Sequence, residues 1–324
     1  MTGRIRILAV VGCIMLGAAS AQAQVYPSKP ITIVVPFGAG GATDVIARAV
    51  AQRLSQAWGR SIVIENKAGA STQIGAAYVA RSAPDGYTLL AGPDGTFVFN
   101  PYLYPKLSYD PDRDFAPISG LGFINQALVV HPSTPLRNVA DLISLAKAQR
   151  GDLNYASFGV TSAGHLSMQL LQARTGVKLN AVQYKGSIAA LTDVIAGHVP
   201  MMFISVGNMV PPWKAGQVRA IGIGSTERLV EFPELPTIAE TLPGFSATFW
   251  FGLFAPAGTP TNIIQKINVA VQGILADASF REQFLAPNFY QPMTGSPEQL
   301  AQFIRSDAEK WRRLIKDAKL TADE

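Results

Sequence analysis

The sequence predicts an α/β fold in two lobes, each a parallel sheet covered by helices on both faces. Three observations carry this. Short β-branched runs alternate with stretches whose apolar residues recur at helical spacing. The alternation pauses after Ala91, and a second series of the same kind begins at Ala127. The 324 residues are more than one core usually organises, and with 48% hydrophobic and 15% charged residues the chain can fill two.

The elements follow in order. Arg4 and Arg6 precede an apolar run from Ile7 to Ala18, and Ala21-Gln-Ala23 supplies small residues at cleavage spacing, so residues 1–23 read as a signal peptide removed before Gln24. The run is shorter than the ~20 residues a membrane span needs. Cys13, the single cysteine, leaves with it, which excludes disulfides, thiolate metal sites and a cysteine nucleophile in the mature chain. Ile31 to Val35 then reads as a buried strand, and Val45, Ile46, Ala49, Val50, Leu54 and Trp58 as a helix. Between them lies Pro36-Phe-Gly-Ala-Gly-Gly-Ala-Thr-Asp44, the stretch that organises the rest.

Its glycines let backbone N–H groups approach a guest, and the helix start adds unpaired donors and partial positive charge. A tight turn capped by Thr43 or Asp44 is the plainer alternative. No Gly-Lys-Ser/Thr closes the loop, and Thr43 stands where a dinucleotide fingerprint needs a small residue, so a carboxylate is a better guest than a nucleotide. Further strands at 61–65 and 87–91 and a helix at 74–81 place the loops 66–73 and 92–96 on the same rim, because ligands of parallel sheets lie beyond the strands' carboxyl ends.

In the second series, strands are expected at 127–131, 153–157, 181–184, 200–204 and 218–222, with helices at 139–148, 164–174, 188–196 and 209–214. Ser157-Phe-Gly-Val-Thr-Ser-Ala-Gly-His165 repeats the small, hydroxyl-rich strand-to-helix loop, and Tyr184-Lys-Gly-Ser187 and Ser205 end neighbouring strands. Two such rims facing each other make a cleft. Phe249 to Ala255 returns the chain to the first lobe. Thr259-Pro260 starts a helix, and Ser296-Pro-Glu-Gln299 opens a closing helix whose apolar stripe runs from Leu300 to Ile315.

Catalytic players are scarce. His131, His165 and His198 are scattered without metal-ligand spacing, and no Gly-x-Ser-x-Gly elbow occurs. The net charge of +5 is spread out and forms no basic stripe for nucleic acid. No catalytic residue, metal or cofactor is expected. His165 either caps its own loop or donates to a ligand anion.

The ordered motifs resemble one family. They include Tyr-Pro-x-Lys-Pro-Ile at 26–31, Val-Pro-Phe-x-x-Gly-Gly-x-x-Asp at 35–44, Pro84-Asp-Gly-Tyr-Thr-Leu89, Asn154-Tyr-Ala-Ser157, Tyr184-Lys-Gly186 and Trp250-Phe-Gly252. The chain resembles the periplasmic solute-binding receptors of the tripartite tricarboxylate transporter family, the Bug receptors. That resemblance implies a two-lobed flytrap with two crossover strands, lobe 1 being 24–126 with 250–324 and lobe 2 being 127–249. It implies a periplasmic monomer that binds a small organic carboxylate and delivers it to the membrane subunits of a permease, or alternatively signals to a sensor kinase. The expected ligand-binding residues are Phe37, Gly38, Ala39, Gly40, Gly41, Asp44, Ser71, Thr72 and Thr96 from one lobe. From the other come Ser157, Phe158, Gly159, Thr161, Ser162, His165, Tyr184, Lys185, Gly186 and Ser205. Departures from the family pattern are Ser71-Thr72-Gln73, Thr161, Gln169, Gln183 and Ser205. Loss of a common aspartate at 205 argues against a ligand whose ammonium needs an acid partner.

Overall fold

A computed structural model describes residues 26–149 and 151–317, and the expected signal peptide lies outside them. The first series is β1 (Ile31–Val35), α1 (Ala42–Trp58), β2 (Ile62–Asn66), α2 (Gln73–Ala80) and β3 (Thr88–Pro93). A π-helical turn, Gly95–Phe99, runs from there into the short helix Asn100–Leu103. The second series is β4 (Phe115–Val130), α3 (Val139–Gln149), β5 (Asn154–Ser157), α4 (Ala163–Thr175), β6 (Asn180–Gln183), α5 (Ser187–Ile195), β7 (Met201–Ser205), α6 (Val206–Lys214) and β8 (Arg219–Ile223). It is followed by β9 (Thr248–Pro256), α7 (Thr261–Ala276) and α8 (Pro297–Asp317).

The sheets are mixed, where the sequence predicts parallel ones. β1 runs parallel to β2 and β3, and β5 parallel to β6 and β7, but β9 lies antiparallel to β3, and β4 antiparallel to β7, β8 and β9. The two long strands that join the lobes account for this. β4 pairs with β9 from Phe115 to Asn125, then passes on to pair with β7 from Gln126 to Val130. The sequence predicts a strand only from Ala127; in the first half, Pro117, Gly120 and Gly122 border two register shifts against β9.

Alternation along β4 explains its apolar second half. Leu128 and Val130 belong to one buried cluster, Ala127 and Val129 to another on the opposite face, so both faces exclude water. α1 buries Ile46, Val50 and Leu54 and stops at Gly59, whose left-handed backbone (φ 60°) lets its N–H reach the Ser55 carbonyl. Pro260 is the N-cap of α7 and not its first helical residue, while the Thr259 hydroxyl donates back to the Pro256 carbonyl at 2.7 Å. α8 opens with a reciprocal capping box between Ser296 and Gln299, and Trp311 is core, its ring 4.6 Å from that of Phe99.

Candidate functional site

The glycine loop of the first lobe is shaped by its own acid. Asp44 Oδ2 accepts from the Gly40 N–H at 2.9 Å and from Arg48 Nε at 2.8 Å, while Oδ1 accepts from Asn66 Nδ2, which also donates to the Phe37 carbonyl. Burial works to raise the Asp44 carboxyl, but the hydrogen bonds from Arg48, Gly40 and Asn66 outweigh it and hold it below the usual range. Asp44 thus folds the loop and does not cap α1. The N-cap is Gly41, with no side-chain bond, which leaves first-turn donors of α1 facing the cleft.

Opposite this loop sits the second rim. The rings of Phe37 and Phe158 meet edge to face, 6.4 Å apart. A Cβ on Gly38 would lie 3.5 Å from the Lys185 carbonyl, and one on Gly40 (φ 82°) would lie 3.3 Å from the Ile188 side chain. Asn208 Nδ2 reaches the Gly40 carbonyl at 3.4 Å. Deeper in, a Cβ on Gly95 would stand 2.6 Å from the Thr161 carbonyl, so only glycine lets these two segments touch. The two glycine- and hydroxyl-rich loops are opposed across one gap.

That gap is a cavity of about 550 Å³ of space between atoms, mouth included. Four helix N-termini border it, through Gly41 to Thr43 of α1, Thr161 and Ala163 of α4, Ser187 of α5 and Ser205 of α6. Three of these ends have no side-chain cap; the fourth is capped by Ser162, whose hydroxyl accepts from the His165 N–H. The remaining wall is mostly apolar: Phe37, Pro93, Ile124, Phe158, Phe249 and Phe251. No lysine or arginine lines it, and Asp94 is its one charged residue type. Backbone dipoles without a cation suit a small anion. Among the described residues, no group of three or more His, Cys, Asp or Glu side chains could hold a metal ion.

Of the expected contact residues, Phe37, Gly38, Gly41, Phe158, Thr161 and Ser205 form the wall. Ala39 is exposed at the loop's outer edge, with Gly40, Gly159 and Gly186 at the seam between lobes. Others turn inward to protein partners. Ser157 and Tyr155 hydroxyls share His165 Nδ1 at 3.1 Å, and Gln169 Nε2 lies 3.1 Å from His165 Nε2. The amide donates to Nε2, which assigns the ring proton to Nδ1. Burial pushes this imidazole down to about 4, so it is neutral, and its ring is held by residues of its own loop and helix.

Thr72 and Thr96 hydroxyls bond each other at 2.9 Å beneath the rim, Ser71 accepts from Tyr104, and Tyr184 donates to Asp193 at 2.7 Å. Lys185 is exposed, with only its carbonyl near Gly38. Asp94, Gln126, Ser187, Phe249 and Phe251 line the cavity without having been expected there. The 92–96 loop and the Tyr-Lys-Gly-Ser motif flagged two of them; the others needed the course of the crossing strands. The cavity thus contains one acid, Asp94, although position 205 is a serine.

Two lobes linked by antiparallel crossing strands, with a donor-lined cleft between them, define a flytrap binding protein. Residues 46–320 match the tripartite tricarboxylate transporter family receptor, TctC, and the chain belongs to this family of solute-binding receptors, which are not enzymes. It is similar to the protein BugT of Bordetella pertussis, at 34% identity over 317 residues covering 96% of this chain and 97% of BugT. It is also similar to the solved structure of R. palustris Rpa4515 with adipate (36% identity, TM-score 0.88, covering 91% of this chain and 99% of that one). A third match is MatC from Rhodopseudomonas palustris with bound malate (34% identity, TM-score 0.85, covering 90% and 100%).

Proposed function

We propose that this chain captures a small organic carboxylate between its lobes in the periplasm and presents it to the membrane subunits of a tripartite tricarboxylate-type transporter. The observation that carries the reading is the convergence of uncapped helix starts from both halves on one cavity that no lysine or arginine lines. Adipate and malate in the related structures support a carboxylate as the guest. Among the described residues no helix is long and apolar enough to cross a membrane.

In this reading the lobes divide at 126/127 and 249/250, close to where β4 exchanges β9 for β7. Phe37, Gly38, Gly41, Phe158, Thr161 and Ser205 bind the guest. A ligand that touches both rims stabilises the closed arrangement over the open one, and only that difference shifts the population towards the form a permease recognises. Native mass spectrometry of the protein purified from its host, followed by denaturation and identification of the released compound, tests this. A carboxylate recovered chemically intact is expected; a neutral sugar or peptide, or a converted product, overturns it.

A further inference from the structure

The hinge end of the cavity differs from the rim. Asp94 follows Pro93, the register partner of Phe251, and its Oδ2 accepts from the Trp250 N–H at 3.1 Å while Oδ1 accepts from the Gly95 N–H at 2.7 Å. Thr161 reaches the neighbouring Gly95 from the other lobe. Gln126 and Ser205 are register partners where β4 meets β7. Thr161 Oγ1 and Gln126 Oε1 are both buried and, among the described residues, have no hydrogen-bond partner. Two residues with orphaned polar atoms and a buried acid thus line the same cavity from three separate segments. Orphans of this kind are costly unless something bound satisfies them.

We propose that this end reads a hydroxyl group, so that the ligand is a monocarboxylate with an apolar body and a hydroxyl far from the carboxylate, a hydroxyaryl acid being the class that fits. This rests on the carboxylate reading of the site. The starts of α1 and α5 hold the carboxylate, and the rings of Phe37, Phe158, Phe249 and Phe251 with Ile124 cover the body. Burial raises the Asp94 carboxyl well above its usual range, with Asp307 adding to the effect, and a neutral carboxyl both donates and accepts. A hydroxyl donates once and accepts through two lone pairs, so it can give its proton to Gln126 Oε1 and accept from the Thr161 hydroxyl and the neutral Asp94 carboxyl. A second carboxylate brings only acceptors to a wall with no lysine or arginine.

Calorimetric titration of the full mature chain with 4-hydroxybenzoate, 3-hydroxybenzoate, benzoate, adipate and malate tests the inference. One of the hydroxybenzoates is expected to bind at least tenfold tighter than benzoate, and benzoate tighter than adipate or malate. Thr161→Val removes an oxygen that has no partner among the described residues; with folding checked by its melting curve, it should cut the ratio of hydroxybenzoate to benzoate affinity several-fold. Asp94→Ala, checked by its melting curve, should bring the ratio close to one. Adipate or malate binding more tightly than either hydroxybenzoate overturns the inference while the carboxylate seat stands. A hydroxyl preference untouched in both variants also overturns it, and failure of all five compounds to bind overturns the carboxylate reading with it.

Discussion

The loops 36–44 and 157–165 are both rich in small residues and occupy the same place between a strand and a helix, yet their side chains are arranged differently. In the first, the acid at the helix start holds Gly40, Asn66 and Arg48 and caps no first-turn N–H, and α1 begins at a bare glycine. In the second, Ser162 caps α4, and Ser157, Tyr155 and Gln169 all bond the buried ring of His165. One loop leaves its helix start without a side-chain cap, and the other ties most of its side chains into its own shape. An uncapped helix start keeps more main-chain donors available to a ligand than a capped one.

Substitutions on the two sides should separate these roles. Gly40→Val combines a left-handed backbone with a Cβ 3.3 Å from Ile188 of the facing lobe, and it should weaken ligand binding more than 100-fold with the far-ultraviolet spectrum unchanged. Calorimetry checks this, and unaltered affinity would remove the first loop from the seat. His165 should act on stability instead. Its buried imidazole titrates at about 4 against 6.5 in the unfolded chain, so between those values the unfolded state binds the extra proton. Stability is then full above pH 6.5 and falls as pH drops towards 4, by on the order of 3 kcal/mol. Denaturant melts from pH 7.5 to 4 should show this loss, and His165→Gln should flatten it.

Asp44→Ala frees the Gly40 N–H and Asn66, and binding should weaken about tenfold, roughly 1.4 kcal/mol. Lys185→Ala is expected to change affinity less than threefold, because its ammonium is exposed and away from the wall. A large effect of Lys185→Ala together with a small one of Asp44→Ala would reverse the contrast between the loops.

The sequence made the first rim legible because β-branched runs, a glycine loop and an amphipathic helix are local signals, and β1, α1 and the α8 capping box lie close to where they were expected. Hydroxyl side chains were harder to read. Whether Thr72, Thr96, Ser157 and Tyr184 face the cleft or the interior depends on partners such as Asn100, His165 and Asp193, some of them distant in sequence. The hinge wall escaped for another reason. Phe249 and Phe251 read as ordinary core in an apolar run, Gln126 sits where a long strand changes partners, and Asp94 is drawn in by the Trp250 N–H from 156 residues away. No local periodicity encodes that meeting.

The account's central claim is that rims from both lobes hold one carboxylate through main-chain dipoles. Amide chemical shifts of the deuterated, nitrogen-labelled protein, followed while 4-hydroxybenzoate and adipate are added in separate titrations, test it most directly. Hydrogen bonding to a carboxylate should move the amide protons of residues 41–43 and of 161–163 or 186–187 downfield together, with one shared affinity. Saturable shifts confined to a single lobe, or centred on a surface away from both loops, would contradict it.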